Sequence, residues 1–103
     1  NYHGFGSPVA LIFFIDSTLE TGSWVDTGMF IQNVMLAARG FGLETCPQAA
    51  LAEYPDAIRK ILNIPDSKKL ICGMALGYAD YDDPSYQYRT EREPVENFTQ
   101  WYS

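Results

Sequence analysis

The chain has 103 residues, of which 47% are hydrophobic and 15% aromatic, and its formal net charge is −6. Because its few Lys and Arg residues form no cluster, the sequence disfavours nucleic-acid binding. No run of about 18 apolar residues is present, so no membrane span is predicted. No basic region precedes the first apolar run as in a signal peptide, and we therefore expect a cytoplasmic protein.

The first predicted element is a strand at residues 9–15, VALIFFI. Seven apolar residues without alternation are typical of a strand that is covered on both faces. A chain of this length forms at most one small domain and buries only about two-thirds of the surface of its unfolded state. Its apolar and aromatic content is high for that size, which favours a surface covered by further protein.

A long helix is predicted over residues 24–39, with Ser23 as its N-cap and Gly40 and Gly42 at its end. Apolar residues lie on several faces of this helix, and residues 27–38 carry no charge. We therefore expect the helix to be buried on nearly all sides. Since a lone domain of this size can hardly cover it, a second subunit or further chain should do so.

The segment at residues 42–51, GLETCPQAAL, predicts a rigid and nearly uncharged turn. Pro47 stiffens its backbone, and Ala49 and Ala50 cover that backbone only lightly. Such a segment offers backbone N–H and C=O groups rather than an acid, a base or a metal ligand. These groups suit a flat heterocycle that forms hydrogen bonds.

A second, amphipathic helix is predicted to begin at Pro55, where the missing N–H costs nothing. Its single apolar stripe is typical of a surface helix. Residues 70–78, LICGMALGY, then predict a second buried strand, in which Gly73 and Gly77 indicate close packing. The order of strand, helix, helix and strand is βαβ-like, but two strands alone do not form a stable sheet.

Residues 79–103 predict an extended arm that wraps over a partner, because the segment is too aromatic to remain free in water. Arg89 and Arg92 stand out in this otherwise acidic stretch. Arg92 lies between Glu91 and Glu93, so a surface ion pair and anion binding are both open for it.

No metal site is predicted from the cysteine, histidine and aspartate residues. Cys46 and Cys72 fit neither a zinc spacing nor a CxxC redox motif, and we expect both to be buried free thiols. His3 is the only histidine and is adjacent to no ligand cluster. The acidic turn at residues 80–83 lacks the alternating ligand positions of a calcium loop.

Three separated pieces together resemble the C-terminal half of the FMN-dependent nitroreductases. They are GSWVDTGMFIQNVMLAARGFGLETCPQAAL, CGMALGYAD, and RTEREP followed by an aromatic end. The family's N-terminal Arg-Arg-Ser-type and Asn/Gln-Pro-Trp motifs are not found in this sequence. The resemblance implies a single partial domain over residues 1–103, with an incomplete nitroreductase-like α/β (α+β) FMN-binding fold. Two central strands, one long buried helix, one surface helix and the extended arm would compose it.

The resemblance also implies a cofactor site. Its ring-facing residues would be Pro47, Gln48, Ala49 and Ala50, with the N–H of Ala49 or a neighbour directed to flavin N5. Arg92, with Arg89 as a helper, would bind the FMN phosphate, as a guanidinium suits phosphate oxygens. The long helix would lie in a homodimer core, and the arm would extend over the other subunit.

The activity implied by the resemblance is hydride transfer from NAD(P)H to FMN and on to a nitroaromatic, quinone or similar acceptor. In such an enzyme the cofactor supplies the chemistry, so no catalytic side chain and no metal are expected. The alternative is a non-catalytic α/β interaction or flavin-sequestering module derived from the same family.

Overall fold

A computed structural model describes residues 3–103 and has a mixed α/β architecture. In chain order its strands and α-helices are β1 (Val9–Asp16), α1 (Thr21–Gly40), β2 (Glu44–Gln48), α2 (Pro55–Leu62), β3 (Lys68–Gly77), α3 (Pro84–Gln87) and α4 (Val95–Phe98). Two 3₁₀ helices are also present, the first at Gly4–Gly6 and the second at Ala49–Glu53. The two strands and two main helices predicted from the sequence are all confirmed.

The three strands form one antiparallel sheet in the order β1–β3–β2. β3 therefore lies in the centre, with Leu76 paired to Val9 of β1 and Gly73 paired to Gln48 of β2. The prediction of only two central strands was wrong, because β2 forms within the segment that was expected to be a turn. The strand, helix, helix and strand follow one another in the predicted βαβ-like order. They do not form a parallel βαβ unit, because β1 and β3 run in opposite directions.

The central strand β3 supplies most of the buried core. Met74 has no exposed surface, and the other buried side chains of β3 are Leu70, Cys72 and Ala75. β1 is exposed or half-buried along its whole length. The sequence predicted that both faces of β1 are covered, but residues 3–103 do not provide this cover.

Helix α1 begins two residues before its expected N-cap, and the cap residue Glu20 forms no side-chain cap hydrogen bond. Its end is as predicted: Gly42 has a positive φ of 73°, which a glycine adopts without strain, and donates its N–H to the carbonyl oxygen of Arg39. The helix contacts the sheet through the ring of Phe30, whose centroid is 6.2 Å from that of Phe13.

The expected burial of α1 on nearly all sides is not achieved by residues 3–103. Ala38 is its only buried residue, and its exposed large apolar side chains are Trp24, Val25, Met29, Phe30 and Leu36. The physical reason is that a three-stranded sheet covers only one side of a 20-residue helix. Any cover for the other sides comes from outside residues 3–103.

Helix α2 is the predicted surface helix, and it begins at Pro55. Asn63 ends it in the left-handed conformation, with a φ of 53°. Arg59 ties the helix to the sheet, since its Nη2 donates a hydrogen bond to the carbonyl oxygen of Lys68 at 2.8 Å.

After β3 the chain runs as an arm that contains only the short helices α3 and α4. Its aromatic residues are largely exposed, with Trp101 at 84% and Tyr102 at 86%. The radius of gyration is 16.6 Å, whereas a compact domain of about 100 residues has about 13 Å. The described chain is therefore less compact than a domain of its size, and the aromatic side chains of the arm remain largely uncovered.

Candidate functional site

The segment of Pro47, Gln48, Ala49 and Ala50, called here the 47–50 segment, lies where β2 ends and the second 3₁₀ helix begins. A proline is tolerated in β2 because this strand lies at the edge of the sheet. Pro47, Ala49 and Ala50 are exposed, and Gln48 is half-buried. The first residues of a helical turn have N–H groups without a partner inside that turn, so exposed backbone donors are to be expected here.

Close packing against β3 fixes this segment in place. A Cβ atom placed on Gly73 would lie 2.1 Å from Cδ1 of Leu51, which is far inside van der Waals contact. Gly77, the second glycine of β3, is similarly close to Pro8, whose Cδ would lie 2.9 Å from an added Cβ. The prediction that both glycines serve close packing is confirmed.

A cavity of about 760 Å³ lies at the end of β3 from which the arm departs. Ligand pockets commonly have volumes of about 300–1,000 Å³, so this one is large enough for a cofactor-sized molecule. Its walls come from the first 3₁₀ helix, the beginning of β2, the end of β3 and the arm. The lining residues are Gly4, Phe5, Gly6, Ser7, Pro8, Glu44, Thr45, Cys46, Ala75, Leu76, Gly77, Tyr78, Ala79, Asp80, Asp83, Ser85, Tyr86 and Arg89.

Arg89 lines this cavity and is held there by the arm itself. Its guanidinium carbon is 5.2 Å from the ring centroid of Tyr86, within the range of a cation–π contact. Nη1 also donates hydrogen bonds to the carbonyl oxygens of Tyr86 and Tyr88. The cation is therefore positioned by local contacts.

Arg92 lies outside the cavity lining. Its Nη1 donates hydrogen bonds to the side chain and carbonyl oxygen of Thr90 and to the carbonyl oxygen of Glu91. Within residues 3–103 neither Arg89 nor Arg92 forms an ion pair with a carboxylate. Of the two alternatives left open for Arg92, the surface ion pair with a neighbouring glutamate is not formed.

The structure does not bring all the predicted site residues into one cavity. Arg89 lines it, and so does Cys46, which directly precedes Pro47. The 47–50 segment and Arg92 lie outside the lining. Cys46 is exposed rather than buried, because it lies on the edge strand; its predicted burial was wrong, whereas that of Cys72 is confirmed.

The acidic residues at the cavity are engaged by the chain's own donors. Asp83 caps α3 and accepts hydrogen bonds from the Ser85 hydroxyl at 2.6 Å and from the Ser85 N–H at 2.8 Å. These bonds hold the pKa of Asp83 below its ordinary value, so it is a carboxylate at neutral pH. Glu44 is paired with Arg39. The Asp83-Pro84-Ser85 sequence is a recognisable helix start, and sequence reasoning missed its place in the site.

Neither a metal cluster nor a membrane helix is found in the described chain. Residues 3–103 contain no group of three or more His, Cys, Asp or Glu side chains arranged to hold a metal ion. Over the same residues, no helix combines the length and apolar character needed to cross a membrane.

Comparison with known proteins places these features in a family. The model of the family described as "Nitroreductase family" matches residues 1–78. A curated relative, the 4-nitrobenzoate reductase of Pseudomonas putida, is 46% identical over 99 residues, which are 96% of this chain and 44% of that protein. The chain therefore spans less than half the length of this relative.

Solved structures give the same result for the fold. The FMN and NADPH-dependent nitroreductase NfnB from Sphigopyxis sp. strain HMH superposes with a TM-score of 0.96 at 33% identity, covering 99% of this chain and 46% of that chain. The FMN-dependent nitroreductase NfnB from Mycobacterium smegmatis, solved in complex with NADPH, gives a TM-score of 0.90 at 30% identity, over 96% of this chain and 44% of that chain. The matched family model and these relatives establish that the chain belongs to the nitroreductase family.

Proposed function

We propose that this chain is the flavin-contacting part of an FMN-dependent nitroreductase that uses NAD(P)H to reduce a nitroaromatic, quinone or similar acceptor. The names of its relatives support this reading, since they include 4-nitrobenzoate reductase and FMN- and NADPH-dependent NfnB enzymes. In the flavoprotein, FMN supplies the hydride chemistry and the protein supplies binding and orientation.

The observation that carries the proposal is the exposure of Ala49 and Ala50 in the 47–50 segment. Ala49 and Ala50 begin a 3₁₀ helix beside the edge of a firmly packed sheet and are themselves exposed. A flat ring with hydrogen-bonding edges fits such a surface, because small side chains allow the ring to approach the backbone. The Ala49 N–H is the proposed donor to flavin N5, where it adjusts the reduction potential.

The donor set of the arm fits the phosphate of FMN. Arg89 and Arg92 form no ion pair with a carboxylate among residues 3–103, which leaves their guanidinium groups open to an anion. A guanidinium presents several N–H donors in a plane, which matches the oxygens of a phosphate. Pro47, Gln48, Ala49 and Ala50 would hold the ring, and Arg92 with Arg89 would hold the phosphate.

We further propose that the active form is a homodimer or a larger assembly in the cytoplasm, as part of a single nitroreductase-like domain. The exposed apolar residues of α1 and the aromatic side chains of the arm support this assembly. Large exposed apolar patches usually mark interfaces. The second copy would cover the faces of α1 that this chain leaves open.

An absorbance scan of the purified protein tests the proposed function. FMN-type bands in the near ultraviolet and blue, which bleach when NADPH or NADH is added without oxygen, are the expected result. Bands that persist after reductant would instead support the flavin-sequestering alternative. A colourless protein that takes up no added FMN would refute both readings.

A further inference from the structure

We propose that Gly73 is a positioning residue for the 47–50 segment, acting through the side chain of Leu51. Gly73 lies in the centre of the sheet and has no side chain of its own to touch a ligand. Because its proposed role concerns the FMN site, it rests on the function proposed above. The role itself comes from the packing between β3 and the second 3₁₀ helix.

The first part of the argument is the fit between Leu51 and Gly73. A Cβ on Gly73 would lie 2.1 Å from Cδ1, 3.2 Å from Cγ and 3.3 Å from Cβ of Leu51. All three distances are shorter than ordinary van der Waals contact, so the leucine occupies the space that a side chain at position 73 would need. Rotation of the outer methyl groups cannot relieve the contact at Cβ, whose position is set by the backbone of Leu51.

The second part is that Gly73 holds the segment at both ends. Gln48, the last residue of β2, is paired with Gly73 through the sheet register. Leu51, three residues later, packs on the same glycine. Ala49 and Ala50 lie between these two contacts, so the position of their backbone depends on how closely Leu51 approaches β3.

A methyl group at position 73 would therefore push the second 3₁₀ helix outward and displace the backbone of Ala49 and Ala50. A displacement of a few tenths of an ångström weakens a hydrogen bond from this backbone, because hydrogen-bond strength depends steeply on distance and angle. Gly73 thus sets the distance between the segment and the flavin ring. A purely structural role would change stability while leaving the bound flavin unaffected.

The test is a double-mutant cycle of Gly73→Ala and Leu51→Ala in the intact protein, read out by FMN titration. We expect each single variant to raise the FMN dissociation constant by about tenfold, which corresponds to the loss of one hydrogen bond. The combined variant is expected to bind FMN more tightly than either single variant, since the added methyl group enters the space that Leu51 leaves. Such coupling is the signature of residues in contact.

The matched control is Leu70→Val, a small truncation in the same strand at a buried position whose register partner is Phe14 of β1. It should lower the melting temperature without changing the FMN dissociation constant or the flavin spectrum. Wild-type affinity in Gly73→Ala, or strictly additive effects in the double variant, would overturn the positioning role. If Gly73→Ala does not fold, Leu51→Ala alone decides: unchanged affinity overturns the role, and weakened affinity supports it. Failure of the wild-type protein to bind FMN would refute the proposed function itself.

Discussion

Arg89 lies against the ring of Tyr86, with its guanidinium carbon 5.2 Å from the ring centroid. Both residues line the large cavity at the end of β3. Arg92, three positions later, is bound instead by Thr90 and Glu91 and lies outside the lining. Neither arginine forms an ion pair with a carboxylate among residues 3–103, which leaves both guanidinium groups open to the phosphate contact proposed above.

The first prediction is that Arg89→Gln and Arg92→Gln each weaken FMN binding. Hydrogen bonds to charged groups contribute about 1.5–3 kcal/mol, which corresponds to a loss of roughly 10- to 150-fold in affinity. The dissociation constant from a flavin fluorescence titration is the measurement. Lys60→Gln, which removes the same charge from an exposed position on α2, is the control and should bind FMN like the wild type. If all three variants bind FMN as tightly as the wild type, the arm arginines are excluded from the phosphate site.

The second prediction concerns assembly through α1. Val25, Met29 and Leu36 lie on one exposed face of this helix, at helical spacings of four and seven residues. Leu36→Glu would place a charge in an apolar interface, and we expect it to shift the protein toward single chains. Sedimentation of the wild type should give a mass of at least two chains.

The control for this prediction is Lys60→Glu, which alters the charge on the exposed side of α2 and should leave the sedimentation mass unchanged. A wild-type protein that sediments as a single chain at micromolar concentration would contradict the proposed interface. An assembly that survives Leu36→Glu would place the interface elsewhere.

The sequence predicted both main helices and two of the three strands because their signals are local. Pro55 marks the beginning of α2, and Gly42 ends α1 in a conformation that glycine favours. β2 was missed because Pro47 is unfavourable in a central strand, and only the edge position allows it. The direction of β3 relative to β1 depends on packing between distant segments, so no local pattern reveals it.

The candidate site was predictable only in part. The exposure of Ala49 and Ala50 follows from small side chains beside a proline, and the resemblance to a known family identified the segment. The cavity was not predictable, because it joins the first 3₁₀ helix, two strands and the arm. The contact between Leu51 and Gly73 was not predictable either, since the two positions are 22 apart in the sequence.

The third prediction concerns acid stability. Hydrogen bonds from the Thr18 hydroxyl and then from its N–H lower the pKa of Asp16 from an ordinary 3.8, with a further contribution from Lys68. The Ser85 hydroxyl and N–H lower the pKa of Asp83 in the same way. A carboxylate whose folded pKa is depressed stabilises the fold above its unfolded pKa, and this contribution is lost as the pH falls through the folded value.

Asp16→Asn and Asp83→Asn should therefore melt at lower temperatures than the wild type at pH 6, and the difference should shrink as the pH falls below 3.8. Thermal unfolding at pH 6 and pH 3 is the measurement. Ser85→Ala keeps the Asp83 carboxylate but removes its main donor, so it should give a smaller change of the same sign. A difference in melting temperature that is constant over this range would show that these carboxylates do not contribute through their ionisation.

The fourth prediction addresses the backbone donor at the proposed flavin ring. Ala49→Pro removes the N–H while keeping a small apolar side chain, and the first position of a helical turn tolerates proline. The preceding residue, Gln48, has φ −132° and ψ 88°, outside the α region that a following proline disfavours. Ala49→Ser retains the N–H and is the matched control.

The midpoint potential of bound FMN in the Ala49→Pro protein is the most direct test of the claim that this backbone contacts the flavin. Loss of a donor that stabilises the oxidised ring should raise the potential by about 10–30 mV, the equivalent of one hydrogen bond in a two-electron couple. The Ala49→Ser protein should keep the wild-type potential. An unchanged potential in Ala49→Pro, measured with FMN fully bound, would contradict the placement of the 47–50 segment at the flavin ring.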